Sequence, residues 1–129
     1  GPRFVYVELP SAGDVAALAP DYAALGHVLG AGGVICFAAD GGTWKVRSFA
    51  PGLGVAEDPA TGSAAGPLSV HLARHGRTRF GEEIEIVQGV EIGRPSRLYA
   101  QADGAGERLE RVRVGGSAVV IARGEFSLP

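Results

Sequence analysis

The residues best suited to chemistry lie in one string, Arg47-Ser48-Phe49-Ala50-Pro51-Gly52-Leu53-Gly54-Val55-Ala56-Glu57-Asp58-Pro59-Ala60-Thr61-Gly62-Ser63-Ala64. Two adjacent carboxylates, Glu57 and Asp58, lead into a helix start made of small residues, where free backbone amides and the positive end of the helix dipole hold an anion. A substrate carboxylate suits such a cradle. Gly62 lets a ligand approach the backbone, and the Ser63 hydroxyl can donate to it. An ionised Asp58 only accepts, so it suits an ammonium or hydroxyl group beside that carboxylate. Together these residues would read a small hydroxy or amino acid. A purely structural reading stands beside this one: Asp58 or Thr61 caps the helix, and the Gly and Ala residues are there for packing.

Other residues offer weaker chemistry. His71 and His75 have the i, i+4 spacing of zinc ligands, but no Glu follows His71 and no third ligand is evident, so an ordinary half-buried pair is expected and no metal. Gly52-Leu53-Gly54 opens like a dinucleotide loop, yet Glu57 occupies the place of the last glycine and no βαβ pattern surrounds it. Cys36, the single cysteine, lies in an apolar run and reads as an inert buried thiol; it excludes an internal disulfide. Arg47 and Arg94 are either clamps for a carboxylate or solvated side chains, and Glu57 is either a buried partner for one of them or exposed.

The elements that position these residues can be read from periodicity. Residues 3–9 carry Phe4, Val5, Tyr6 and Val7 and suit a strand closed by Pro10. Ser11 with Asp14 fits a capping box, and Pro20-Asp21 opens a second helical stretch, so one or two helices fill 12–30. The run Val34-Ile35-Cys36-Phe37 is separated by Asp40-Gly41-Gly42 from 43–50, which signals a hairpin. A Gly- and Pro-rich loop is expected over 51–59. Residues 60–73 contain no Asp, Glu, Lys or Arg and predict a helix buried on every side, started or bent near Pro67. Glu83 and Glu85 then alternate with Ile84 and Ile86, and further strands fit 96–102, 109–114 and 117–123. The expectation is a single α+β domain over 1–129, with about seven strands wrapping one buried helix.

Composition narrows the function. The 129 residues include 46% hydrophobic and 20% charged types, enough for a core. With 12 Lys+Arg against 14 Asp+Glu the net charge is -2, which offers nucleic acid and acidic lipid no strong field. Gly at 21 and Pro at 8, spread along the chain, suit many tight turns. No apolar run approaches the roughly 20 residues that cross a bilayer, and no basic start with an apolar centre marks a signal peptide, so a soluble cytoplasmic protein is expected, with neither nucleic acid nor membrane as partner. Methionine is absent even at position 1, so Gly1 is a processed start, an imposed boundary or a point inside a longer natural chain.

The string Glu57-Asp58-Pro59-Ala60-Thr61-Gly62-Ser63-Ala64 resembles, without a gap, the second motif of the phenazine-biosynthesis isomerase (PhzF-like) family, whose members share the diaminopimelate-epimerase-like fold. Gln88-Gly89 followed by Gly93-Arg94-Pro95-Ser96, and Val114-Gly115-Gly116-Ser117-Ala118-Val119, extend the likeness in order along the chain. More weakly, the start at 2–9 and the run Gly33 to Ala38 are similar to the opening of that family's second half. The resemblance implies a cofactor-free enzyme of two similar domains, each a curled, barrel-like mixed or antiparallel sheet around a central helix, with the substrate between them. This chain is similar to the C-terminal one alone. In the family a glutamate of the N-terminal domain moves the proton and a histidine there helps to bind substrate; neither has a counterpart here. Asp58 and Ser63 carry over as substrate-binding residues, Gly62 as the amide at the helix start, and Thr61 stands where epimerase relatives place a cysteine base. A threonine hydroxyl is too weakly acidic for that task near neutral pH, so an allylic isomerisation with one acid/base fits better than a two-base racemisation.

Two functions are therefore expected in competition. The first is the substrate-binding half of a PhzF-like isomerase, taking a small carboxylate-bearing cyclic acid such as a dihydro-hydroxyanthranilate, holding no catalytic residue itself and inactive without an N-terminal domain or complementing chain. The second is a stand-alone binding or interaction module of the same fold. A homodimer in which each copy walls the other's site is a third arrangement, and exposed apolar surface is expected around 51–59 to serve such pairing.

Overall fold

A computed structural model of the chain describes residues 1–127. The first strand, β1 (Arg3–Glu8), turns Phe4 and Tyr6 inward and pairs in parallel with β2 (Gly32–Asp40). Between them lie two short helices. In α1 (Ala12–Ala16) the Ser11 hydroxyl accepts from the Asp14 amide at 3.1 Å and donates to its carboxylate at 2.7 Å. In α2 (Tyr22–Leu29) the Asp21 carboxylate accepts from the Ala24 amide at 3.0 Å. Each cap satisfies a first-turn amide that the helix itself leaves open.

The hairpin forms as its turn residues require: β2 folds back on β3 (Thr43–Ala50) through Gly41 and Gly42, with φ of 55° and 98°. Both strands are buried on both faces. Ile35, Phe37, Trp44 and Val46 point to the core, whereas Val34, Cys36 and Phe49 pack under Leu18, Leu25 and Leu29 near the helices. A continuous apolar run is the signature of a strand covered on both sides.

The far edge of β3 is shared. Its first half, Trp44 to Val46, pairs in parallel with β5 (Glu83–Gln88). Its second half pairs antiparallel with β4 (Val55–Asp58), at Ser48↔Asp58 and Ala50↔Val55, with a bulge between. The two partners diverge, and α3 (Gly62–Arg74) starts at the fork between them. The sheet continues antiparallel through β6 (Ser96–Ala105) and β7 (Arg108–Gly116) in the order β1-β2-β3-β5-β6-β7. It curls around α3, whose Leu68 and Leu72 are fully enclosed, each burial contributing about 1.5–3 kcal/mol. The architecture is the expected α+β one, a mixed sheet curled around a central helix.

Three expectations need correction. The 51–59 loop contains a 3₁₀ turn at Pro51–Leu53 and then β4, because a four-residue strand is defined by its partner rather than by its own pattern. The helix is not buried on every side: Gly62, Ser63, Pro67 and Arg74 are exposed, since β1 and β7 are sheet edges that do not close over it. Pro67 lies inside α3 on that open side, near the exposed Ser63 whose carbonyl loses its intrahelical donor. The 117–123 segment is not a strand; Val119 is 84% and Ile121 93% exposed. A strand apolar on both faces needs an edge to pair with and cover on each side, and beyond β7 the chain meets neither. Among the described residues no helix is long and apolar enough to cross a membrane.

Candidate functional site

The fork between β4 and β5 is closed by one side chain. Gln88 follows Ile84 and Ile86 on the inward face of β5 and is 2% exposed. Its Nε2 donates to the Asp58 carbonyl at 2.6 Å and to Thr61 Oγ1 at 2.9 Å, and its Oε1 accepts from the Thr61 amide at 3.3 Å. Behind it, Gly89 has φ 78°, and a Cβ there would stand 2.3 Å from the Arg94 carbonyl oxygen and 2.9 Å from that of Pro59, so glycine alone fits. From the other side, the Tyr6 hydroxyl donates to the Ala64 carbonyl at 3.0 Å, tying β1 to the first turn of α3. Burial pushes that phenol up to about 12. The turn 58–61 is thus held from β5, and the first turn of α3 from β1.

Within the turn the polar side chains bond to one another. Thr61 Oγ1 donates to Asp58 Oδ2 at 2.8 Å, and Asp58 Oδ1 accepts from the Ala60 amide at 3.3 Å. Thr61 is the N-cap residue of α3, but its side chain makes no capping hydrogen bond, and neither does that of Asp58. The simple capping reading therefore fails. The amides of Gly62 and Ser63 meet no acceptor among the described residues, and nothing lies within 4 Å of where a Gly62 Cβ would be. A hollow of about 120 Å³ opens at Ser63, lined by the polar Ser48, Asp58, Thr61 and Ser63 and by the apolar Pro2, Phe4, Ala50, Leu53 and Val55. Donors at a helix start, an acceptor carboxylate and apolar side chains are the groups that a small anion with a carbon skeleton would need.

Glu57 takes no part in it. Successive residues of a strand face opposite ways, so Asp58 looks toward α3 and Glu57 toward α1. There Glu57 holds Arg47 through Nε at 2.9 Å and Nη2 at 2.8 Å. Arg47 Nη1 further donates to the carbonyls of Ala16 at 3.1 Å and Leu18 at 2.6 Å. The hydrogen bond to Glu57 raises the guanidinium further above its ordinary range. Of the readings open for these residues, the buried pair is the one observed, and Arg47 is not a clamp. Arg94 is exposed and is not among the residues that line the hollow. Cys36 is buried, and that burial pushes its thiol up. His71 and His75 touch at a ring-centroid distance of 4.3 Å, with Tyr6 and Phe37 against His71; burial, and then His75, lower the His71 pKa. Among the described residues no third His, Cys, Asp or Glu joins them in a metal-holding group.

The chemical role of Gln88 is absent from the sequence reading. Its signal was present: in the inward register of Ile84 and Ile86, a polar residue needs buried partners.

The chain is similar to known proteins along nearly its whole length. The model of the family described as phenazine biosynthesis-like protein matches residues 1–124. A trans-2,3-dihydro-3-hydroxyanthranilate isomerase of Pseudomonas chlororaphis is 52% identical over 130 residues, covering 99% of this chain and 46% of the relative. The protein of the same name from Pseudomonas aeruginosa is 54% identical over 128 residues, with the same coverage of 99% and 46%. Among solved structures, a PhzF family protein of Enterococcus faecalis superposes with a TM-score of 0.69 at 30% identity, covering 95% of this chain and 44% of that one. The chain spans about half the length of the curated relatives it matches.

Proposed function

Since the chain belongs to the phenazine biosynthesis-like protein family, we propose that it forms the substrate-binding half of a cofactor-independent isomerase. The substrate class is a small cyclic hydroxy or amino acid, such as the one named for its relatives. The observation that carries this reading is the pair of unpartnered amides at the start of α3, Gly62 and Ser63, the second of which lines the hollow together with Asp58. The substrate carboxylate sits against those amides and takes the Ser63 hydroxyl. Asp58 Oδ1, bonded only at 3.3 Å, accepts from a ring hydroxyl or ammonium. The ring lies on Phe4, Ala50, Leu53 and Val55.

An allylic isomerisation removes a proton from one carbon and returns it at another, which needs a group that exchanges protons near the working pH. Thr61 is too weakly acidic and already donates to Asp58, and Asp58 is tied into the turn. The acid/base therefore comes from a partner, an N-terminal half or complementing chain, with a second copy as the simplest substitute. The span of about half of each relative supports this, as do the exposed Leu53 and Val55 beside the hollow and the exposed apolar segment 117–123.

Backbone amide NMR tests the reading. Titration with 3-hydroxyanthranilate should shift Thr61 to Ala64 before other residues; shifts centred on β6 and β7 would put the site elsewhere. The chain alone should not turn over trans-2,3-dihydro-3-hydroxyanthranilate, and addition of a relative's N-terminal half should restore turnover. Binding without restored turnover would favour the stand-alone module.

A further inference from the structure

The motif residues leave one polar group of the hollow without a task. Ser48 lies in the second half of β3, paired with Ile35 on one side and Asp58 on the other, so its backbone belongs to the sheet. Its side chain shares the inward face with Trp44 and Val46, and the residue is one of those lining the hollow, with Asp58, Thr61 and Ser63. The residue is 0% exposed, and its hydroxyl has no hydrogen-bond partner among the described residues. A buried hydroxyl without a partner opposes folding, and most such groups in native proteins are paired.

No side chain beside it bonds the Ser48 hydroxyl. The Asp58 oxygens accept from Thr61 Oγ1 and the Ala60 amide; Thr61 Oγ1 donates to Asp58 and accepts from Gln88. The nearby wall of Phe4, Ala50, Leu53 and Val55 offers nothing polar. An alanine would fill the position without an unpaired donor.

We propose that Ser48 is a specificity-determining residue, whose hydroxyl hydrogen-bonds a polar ring substituent of the small acid held at Gly62 and Ser63. The inference rests on the proposed carboxylate site and adds to it a second requirement on the ligand: beside the carboxylate and the group that Asp58 reads, a further hydroxyl or amine must project toward β3. A serine hydroxyl both donates and accepts, so it serves either substituent.

The test compares two probes, 3-hydroxyanthranilate and anthranilate, which differ by one hydroxyl, on the unsubstituted chain and on Ser48→Ala. Dissociation constants come from the amide shifts of Gly62 and Ser63. The unsubstituted chain should prefer the hydroxylated acid by roughly three- to tenfold, the range of one hydrogen bond, and Ser48→Ala should erase that preference while leaving anthranilate within about twofold. Thermal melting supplies the second readout: Ser48→Ala should melt at the same or a higher temperature, since it removes an unpaired buried group. A lower melting temperature or loss of folding would mean that the hydroxyl serves the fold, and would overturn the proposal. So would an unchanged preference in Ser48→Ala with both acids still bound at Gly62 and Ser63, an outcome that leaves the carboxylate site standing. If neither acid shifts those two amides in the unsubstituted chain, the carboxylate site and the role of Ser48 fall together.

Discussion

The two faces of the β3–β4 pair carry similar polar content and use it in opposite ways. On the outward face, Arg47 and Glu57 are buried, form a two-point ion pair and spend the remaining guanidinium donor on the carbonyls of Ala16 and Leu18. On the inward face, one residue further along each strand, Ser48 has no partner, and the adjoining amides of Gly62 and Ser63 have none either. The paired groups of the first face make a structural joint, whereas the unpaired donors of the second are left open to a ligand. The turn 58–61 beside those donors is held by Gln88 and the first turn of α3 by Tyr6, so rigidity and open valence are divided between neighbouring residues.

Substitutions on the two faces should therefore separate stability from binding. The largest effect is expected for Arg47→Ala, which strands the Glu57 carboxylate in the interior and should lower unfolding free energy by about 3–5 kcal/mol in chemical denaturation. Loss of less than about 1 kcal/mol would show the pair to be solvated and end the contrast.

Gln88→Leu sits between the two roles. It leaves the Asp58 carbonyl and the Thr61 amide without partners, at a cost of about 1–3 kcal/mol, and frees the 58–61 turn. Affinity for 3-hydroxyanthranilate at Gly62 and Ser63 should fall along with stability, whereas a destabilised Arg47 variant that still folds should bind nearly as before. Equal losses of affinity in both variants would blur the division.

The smallest effect belongs to Tyr6→Phe, which removes the bond to the Ala64 carbonyl and should cost about 0.5–1.5 kcal/mol. The pH dependence has a definite sign. The folded phenol is raised from 10.0 to about 12, so the unfolded chain loses its proton first; stability is intact below pH 10 and declines between 10 and about 12. The Phe variant should lack that part of the decline in equilibrium unfolding followed against pH.

Several features were legible because their signal is local. The Ser11–Asp14 box, the Asp21 start of α2 and the Asp40-Gly41-Gly42 hairpin need only a few successive residues, and each forms as expected. The motif from Glu57 to Ala64 marked a helix start rich in free amides, and α3 begins there. The illegible features depend on distant partners. Val55–Asp58 is a strand because Ser48 and Ala50 present an edge to it, although its Gly-rich surroundings suggested a loop. The apolar run 117–123 has a strand's composition and meets no edge within the described chain.

By itself, then, the sequence determined the kinds of element, their caps and turns, and the free amides of one helix start, since those follow from backbone preferences over neighbouring residues. Only the tertiary structure decided which of the adjacent carboxylates faces the hollow, that Thr61 and Asp58 bond to each other instead of capping α3, and that Gln88, 27 positions from Thr61, fixes the turn. Hydrogen bonds are exclusive: a donor engaged across the fold is lost to every other acceptor, so the groups left free for a ligand are known only once every partner has been brought into place.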